Sequence, residues 1–232
     1  MHRSRVRYLL SLLAAGFSLS QQTGTAATPE HKASPNVSGS DWKNQFKAGV
    51  TPLGSSMKAA TPPPATGKII YTLHKPKEVS EEEEKIFAGI TEGMEQAIMI
   101  YNSRTSLAKQ LDIFYSPGTP TADGNINGSI RFGRNARNAR VCMHEIGHTL
   151  GIGTHAKWGA LMVDHRWQGA RANKLLQEFT KDPQAQLHGD HMHFWPYGLN
   201  YDNEVKSDED LIRHAMLVEA MVQDLAAANS KR

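Results

Sequence analysis

The segment His144–His155 reads HEIGHTLGIGTH and gathers the residues best suited to chemistry. If it is helical, His144 and His148 lie four positions apart, on one face and one turn apart. Two imidazoles so placed can hold one zinc ion. Glu145 then lies beside them, free to accept a proton from a zinc-activated water without being a ligand. A catalytic zinc site needs a third protein ligand and an open coordination position. Three parts of the sequence could supply that ligand. His155 follows a glycine-containing turn, HGDHMHFWPYG (188–198) carries His188, His191 and His193, and NEVKSD (203–208) carries Glu204. His155 is the first expectation, with His191 or His193 as rivals and His193 foremost of these.

These residues must be positioned by elements that the sequence also outlines. KIIYTL (68–73), LDIFY (111–115) and SIRF (129–132) have the β-branched and aromatic content of strands, and TPTADGNING between the last two reads as a turn-rich loop. Ser80 and Glu83 form a capping box ahead of a long helix. Its apolar positions Ile86, Phe87, Ile90, Met94, Ala97, Ile98 and Tyr101 keep helical spacing over four turns. The histidine helix should start near Ala136 and stop at Gly151 or Gly153. A short helix is expected over 169–179. A C-terminal helix starts at Ser207, where Asp210 caps it, with Leu211, Ala215, Val218, Val222 and Leu225 on one face. The fold class is α+β.

HEIGHTLG resembles the motif of the metzincin zinc peptidases, His-Glu-x-x-His-x-x-Gly-x-x-His followed by a methionine turn. Within that clan the chain is most similar to the matrixin-type extracellular proteases, because Ala160-Leu161-Met162 follows at the matrixin interval from His144. The resemblance is specific over 143–162 and architectural over 68–142. It implies a small twisted mixed sheet with an edge strand, a long backing helix, the zinc-binding helix and a C-terminal helix. It also implies that Gly151 turns the chain toward the third ligand and that Met162 forms a hydrophobic floor under the metal. Gly128–Phe132 would be the edge strand that pairs with an extended peptide. The chain departs from the motif at one point: the family position is Thr154, and histidine comes one residue later. NEVKSD also matches the Asn-Glu-x-x-Ser-Asp pattern of thermolysin-like gluzincins, although Glu204 lies much farther from His148 than theirs does. Capping already accounts for Ser207 and Asp210.

The N-terminus reads as a secretory signal over residues 1–20, with Arg3, Arg5 and Arg7 ahead of an apolar run too short to span a bilayer. Residues 21–67, rich in Thr, Ala, Ser, Pro and Gly, read as a flexible leader or a propeptide. Residues 68–232 form the catalytic domain. The signal holds three of the 26 basic residues and none of the 23 acidic ones, so the remainder is balanced at 23 of each. That balance argues against nucleic acid as a partner. Arg131, Arg134, Arg137 and Arg140 read as a solvated face, with a substrate-facing patch as the alternative. Cys142 is the only cysteine and cannot form an internal disulfide, so it reads as buried packing.

The expected protein is a monomeric, secreted or periplasmic zinc metalloendopeptidase without membrane insertion. Its cofactor is Zn²⁺ and its partners are peptide or protein substrates. Glu145 is the general base, and His144, His148 and His155 are the ligands. Tyr197 or Tyr201 could donate to a tetrahedral intermediate, against a structural role for each. Two alternatives stand beside this reading. One is a zinc amidase acting on cell-wall or small amide substrates; the other is a non-catalytic binding module in which Glu145 has no task.

Overall fold

The computed structural model describes residues 67–229. The signal and nearly all of the leader read from the sequence lie outside them. Among the described residues, two sheets and five α-helices make a mixed α+β fold.

Strand β1 (Lys68–His74) leads into α1 (Glu81–Arg104), and β2 (Ala108–Tyr115), β3 (Ala122–Gly124) and β4 (Ser129–Phe132) follow. The sheet order is β1-β2-β4-β3, with β1, β2 and β4 parallel and β3 antiparallel to β4. Alternation along β1 and β2 sends Ile69, Leu111 and Ile113 inward, while Ile70, Gln110 and Phe114 stay on the outer face. The Ser80–Glu83 capping box forms at the start of α1: the Glu83 N–H donates to Ser80 Oγ at 3.2 Å, and the Ser80 N–H to the Glu83 carboxylate at 2.8 Å. Ile86, Phe87, Ile90, Met94, Ala97 and Tyr101 of α1 are buried, and Ile98 is partly so. The Tyr101 hydroxyl, deep in the core, donates to the Met143 carbonyl at 3.1 Å and ties α1 to the histidine helix.

That helix, α2 (Ala139–Leu150), begins three residues later than expected, because the Asn138 side chain accepts the Val141 N–H as its N-cap. It ends at Gly151, whose φ of 114° is the left-handed conformation that favours glycine. The short α3 (Trp158–Leu161), β5 (Met162–Val163) and β6 (Arg166–Trp167) follow. Then come α4 (Ala170–Thr180), β7 (His188–Gly189), β8 (Phe194–Trp195) and α5 (Asp208–Asn229). Strands β5 to β8 form a second, antiparallel sheet in chain order. Residues Asp164 and His165, at φ 48° and 60°, make the two-residue turn of the β5–β6 hairpin. Helix α4 has glycine at its N-cap. Asp224 of α5 supplies the missing acceptor, taking the Arg171 and Ala172 N–H groups at 3.1 Å each and the Trp167 indole N–H at 3.2 Å.

Two strand assignments change. The stretch expected as a loop between β2 and β4 contains β3, whose three residues have no β-rich composition. Gly128–Phe132 is therefore not the edge: β4 is paired on both sides, and the edge is β3. Segment 188–198, for which the sequence suggested no strand, contains the β7–β8 hairpin.

Candidate metal centre

Helix α2 places His144 and His148 on one face, with ring centroids 4.6 Å apart and ring planes at 89°. Each ring is anchored through Nδ1 to a backbone carbonyl, His144 to Gly198 at 2.9 Å and His148 to Ile152 at 2.8 Å. A carbonyl only accepts, so in both rings Nδ1 carries the proton and Nε2 carries a lone pair. The two Nε2 atoms nevertheless lie 3.1 Å apart. With no proton between them that approach is no hydrogen bond. It is close to the roughly 3.3 Å that separates two nitrogens bound to one tetrahedral zinc at about 2.0–2.1 Å.

The third ring of the group is His193. Its centroid lies 5.6 Å from that of His144 and 5.7 Å from that of His148. One ligand atom from each of His144, His148 and His193 falls within 4.8 Å of the others. His193 sits at the end of the loop between β7 and β8, where its Nδ1 meets Asp190 Oδ2 at 3.2 Å. That leaves His193 Nε2 for a metal. Three imidazoles fit zinc by donor type and number.

His155, the first expectation for the third ligand, is not in this group. After Gly151 the chain keeps turning in short steps, with the Thr154 and His155 N–H groups both donating to the Gly151 carbonyl. His155 Nδ1 accepts the Lys157 N–H at 3.0 Å and so caps the turn into α3. Gly153 does not swing His155 toward the His144–His148 pair. Its φ is 70°, and a Cβ there would come within 2.2 Å of the Met192 carbonyl. Its role is to let the His193 loop approach. His191 and Glu204 also lie outside the group; the Glu204 carboxylate accepts Asn200 Nδ2 at 3.1 Å and the Tyr201 N–H at 3.1 Å. Met162 lies beneath the β7–β8 hairpin, where a Cβ on Gly189 would come within 2.6 Å of Met162 Cε.

Burial keeps His144 and His148 neutral. It is the main reason that His144 is pushed down to about 3, with the neighbouring His148 adding to it and the Gly198 carbonyl opposing. His148 is lowered for the same first reason. Glu145 is buried and raised to about 8, by desolvation first and then by Asp123, against the Gly124 N–H that bonds its carboxylate and the Arg140 charge. Asp190 is held at about 2. Desolvation alone would raise it, but the Met192 and His193 N–H groups and the His193 ring together outweigh that.

Behind the site, His214 of α5 is fully buried. Its Nδ1 meets the Tyr197 carbonyl at 2.7 Å and its Nε2 faces the Met143 carbonyl at 3.2 Å. It braces the 197–199 segment whose Gly198 carbonyl orients His144. Tyr197 and Leu199 flank that glycine at φ 66° and 60°, strained conformations for side-chain-bearing residues. The Tyr197 hydroxyl accepts from Arg213 at 2.8 Å, a structural role, while Tyr201 is exposed. The basic run is largely ion-paired: Arg131 is bidentate to Asp123, Arg134 meets Glu82 and Arg140 meets Asp202. Cys142 is buried.

Sequence reasoning missed Asp190, His214, the Gly198 carbonyl and the Gly124 N–H. Only Asp190 left a readable signal, an aspartate three residues before a histidine in a loop, the spacing of a side-chain-closed turn. In comparisons with known proteins, no family model, no curated protein and no solved structure matches this chain.

Proposed function

We propose that this chain is a zinc-dependent metallopeptidase of metzincin likeness, with His144, His148 and His193 as ligands and Glu145 as general base. The observation that carries the reading is the pair of unprotonated Nε2 atoms facing each other at 3.1 Å. Such an approach is unfavourable until a cation lies between the two lone pairs.

Zinc, when bound, would supply Lewis acidity that polarises the scissile carbonyl and makes water easier to deprotonate. The rest falls to the chain. Glu145 takes the proton from the attacking water and returns it to the leaving amine. Its raised proton affinity suits both halves of that task, and the Gly124 N–H bonds the carboxylate. Strand β3 supports an extended substrate. Thr121 and Asn125 direct their bonds toward the β4 side, so Ala122 and Gly124 turn theirs to the open edge. Gly124 spends its N–H on Glu145, and Ala122 is left to pair with a peptide beside the base. A binding module would have no use for a buried carboxylate so arranged.

Export belongs to the same proposal, since it rests on residues 1–20. Among the described residues, no helix is long and apolar enough to cross a membrane.

The test is Glu145→Gln, which preserves shape but cannot accept a proton. Zinc content should stay near one per chain while hydrolysis of a peptide library falls about 10²–10⁴-fold. Near-normal turnover in the variant would remove Glu145 from the mechanism, and protein that neither carries nor rebinds zinc would end the proposal.

A further inference from the structure

We infer that Asp190 is the positioning residue of the third ligand, fixing the tautomer and direction of the His193 ring so that Nε2 faces the metal. This rests on the three-histidine reading above.

The three rings are held in unlike ways. His144 and His148 project from a helix, and their Nδ1 atoms meet backbone carbonyls. His193 comes from the loop between two strands of two residues each, where no helix limits its rotation. Among the described residues its Nδ1 has one partner, the side chain of Asp190. A carboxylate at neutral pH accepts and never donates. Opposite it, His193 must carry its proton on Nδ1, which leaves Nε2 as a ligand atom.

Asp190 is itself well fixed. Its Oδ1 accepts the Met192 and His193 N–H groups at 2.7 Å each, closing a turn over the loop. Its own N–H donates to the His193 carbonyl at 3.0 Å, and its carbonyl accepts the Trp158 indole N–H at 3.0 Å. The turn needs only Oδ1. The contact of Oδ2 with the imidazole is surplus to loop closure, and it serves the ring alone. It also places a negative charge behind the ligand, which strengthens an imidazole as a donor to a dication. The side chains of Asp190 and His193 are about one-third exposed, at 35% and 36%, so the tie works by geometry and direction more than by charge in a dry interior.

The experiment uses the full-length protein, stripped of metal and titrated with zinc against a competing chelator, for wild type, Asp190→Asn and His193→Ala. Asparagine keeps an oxygen for the two backbone N–H groups but presents an NH₂ to His193 Nδ1. That favours the tautomer with a proton on Nε2, which blocks ligation. Asp190→Asn should therefore lose about 10–100-fold in zinc affinity while its metal-free melting temperature stays at the wild-type value. Wild-type affinity in Asp190→Asn would overturn the inference and leave only a turn-forming role. Should wild type itself fail to bind zinc, the three-histidine reading fails first. Should the metal-free variant melt early, ¹⁵N shifts of the His193 ring in metal-free wild type decide: a proton on Nδ1 supports the assignment, and a proton on Nε2 overturns it.

Discussion

At the residue scale the site is defined by where protons are absent. Nδ1 of His144 and of His148 each spends its proton on a backbone carbonyl, and two bare Nε2 atoms converge. His193 completes the group and His155 does not. Alanine at 144, 148 or 193 should accordingly abolish stoichiometric zinc binding, measured by elemental analysis after dialysis. His155→Ala should bind zinc within a few-fold of wild type, since its ring is engaged with Lys157 at the start of α3. Loss of zinc in His155→Ala with retention in His193→Ala would restore the spacing-based assignment.

At the element scale the decisive contact lies between the turn after α2 and the β7–β8 hairpin. The hairpin carries His193, and it can approach only because Gly153 has no Cβ and adopts φ 70°. Gly153→Ala meets both obstacles, a left-handed backbone and a clash with the Met192 carbonyl. We expect it to cost roughly 1–3 kcal/mol, read from urea unfolding of metal-free protein. Zinc affinity should fall as well, because the displaced loop carries a ligand. Unchanged stability and affinity together would show that the loop does not depend on this approach. Helix α5 works at the same scale. Through His214 it holds the strained 197–199 segment, and through Asp224 it caps α4, so one helix stabilises two elements around the site.

At the scale of the whole molecule, buried neutral histidines couple folding to pH. His214 is pushed down to about 4, by burial first and against the Tyr197 and Met143 carbonyls. An unfolded histidine titrates near 6.5. Between these values the unfolded chain binds more protons than the folded one, so stability is full above about pH 6.5 and is lost as pH falls toward 4. For His214 alone the loss approaches roughly 3 kcal/mol, and His144, pushed down to about 3, acts in the same direction. Urea midpoints of metal-free protein should therefore drop steeply between pH 7 and 4.5; a flat profile over that range would show that these histidines are protonated in the fold. Zinc should add to stability with the logarithm of its free concentration over its dissociation constant. Chelation at neutral pH should thus lower the melting temperature in wild type and leave His193→Ala unmoved.

What the sequence determined by itself was local. The pairing of His144 with His148, a stop at Gly151 or Gly153, the Ser80–Glu83 box and the buried stripe of α1 all follow from hydrogen bonds and spacing within single helices, which neighbouring residues suffice to set. Choosing among His155, His191, His193 and Glu204 was different, because each offers a donor that zinc accepts and only long-range docking ranks them. The hairpin that wins lies some 45 residues beyond His148 and is held by contacts to Gly153, Trp158, His165 and Met162, none of which has a period to read. The edge strand was hidden for a related reason. Three residues, Ala122–Gly124, carry no β-forming bias, and they become a strand because β4 offers a register and α2 packs beside it. Tertiary structure decided the third histidine of the cluster, the aspartate beside it and the open edge, since each depends on surfaces that meet only after the helices have formed.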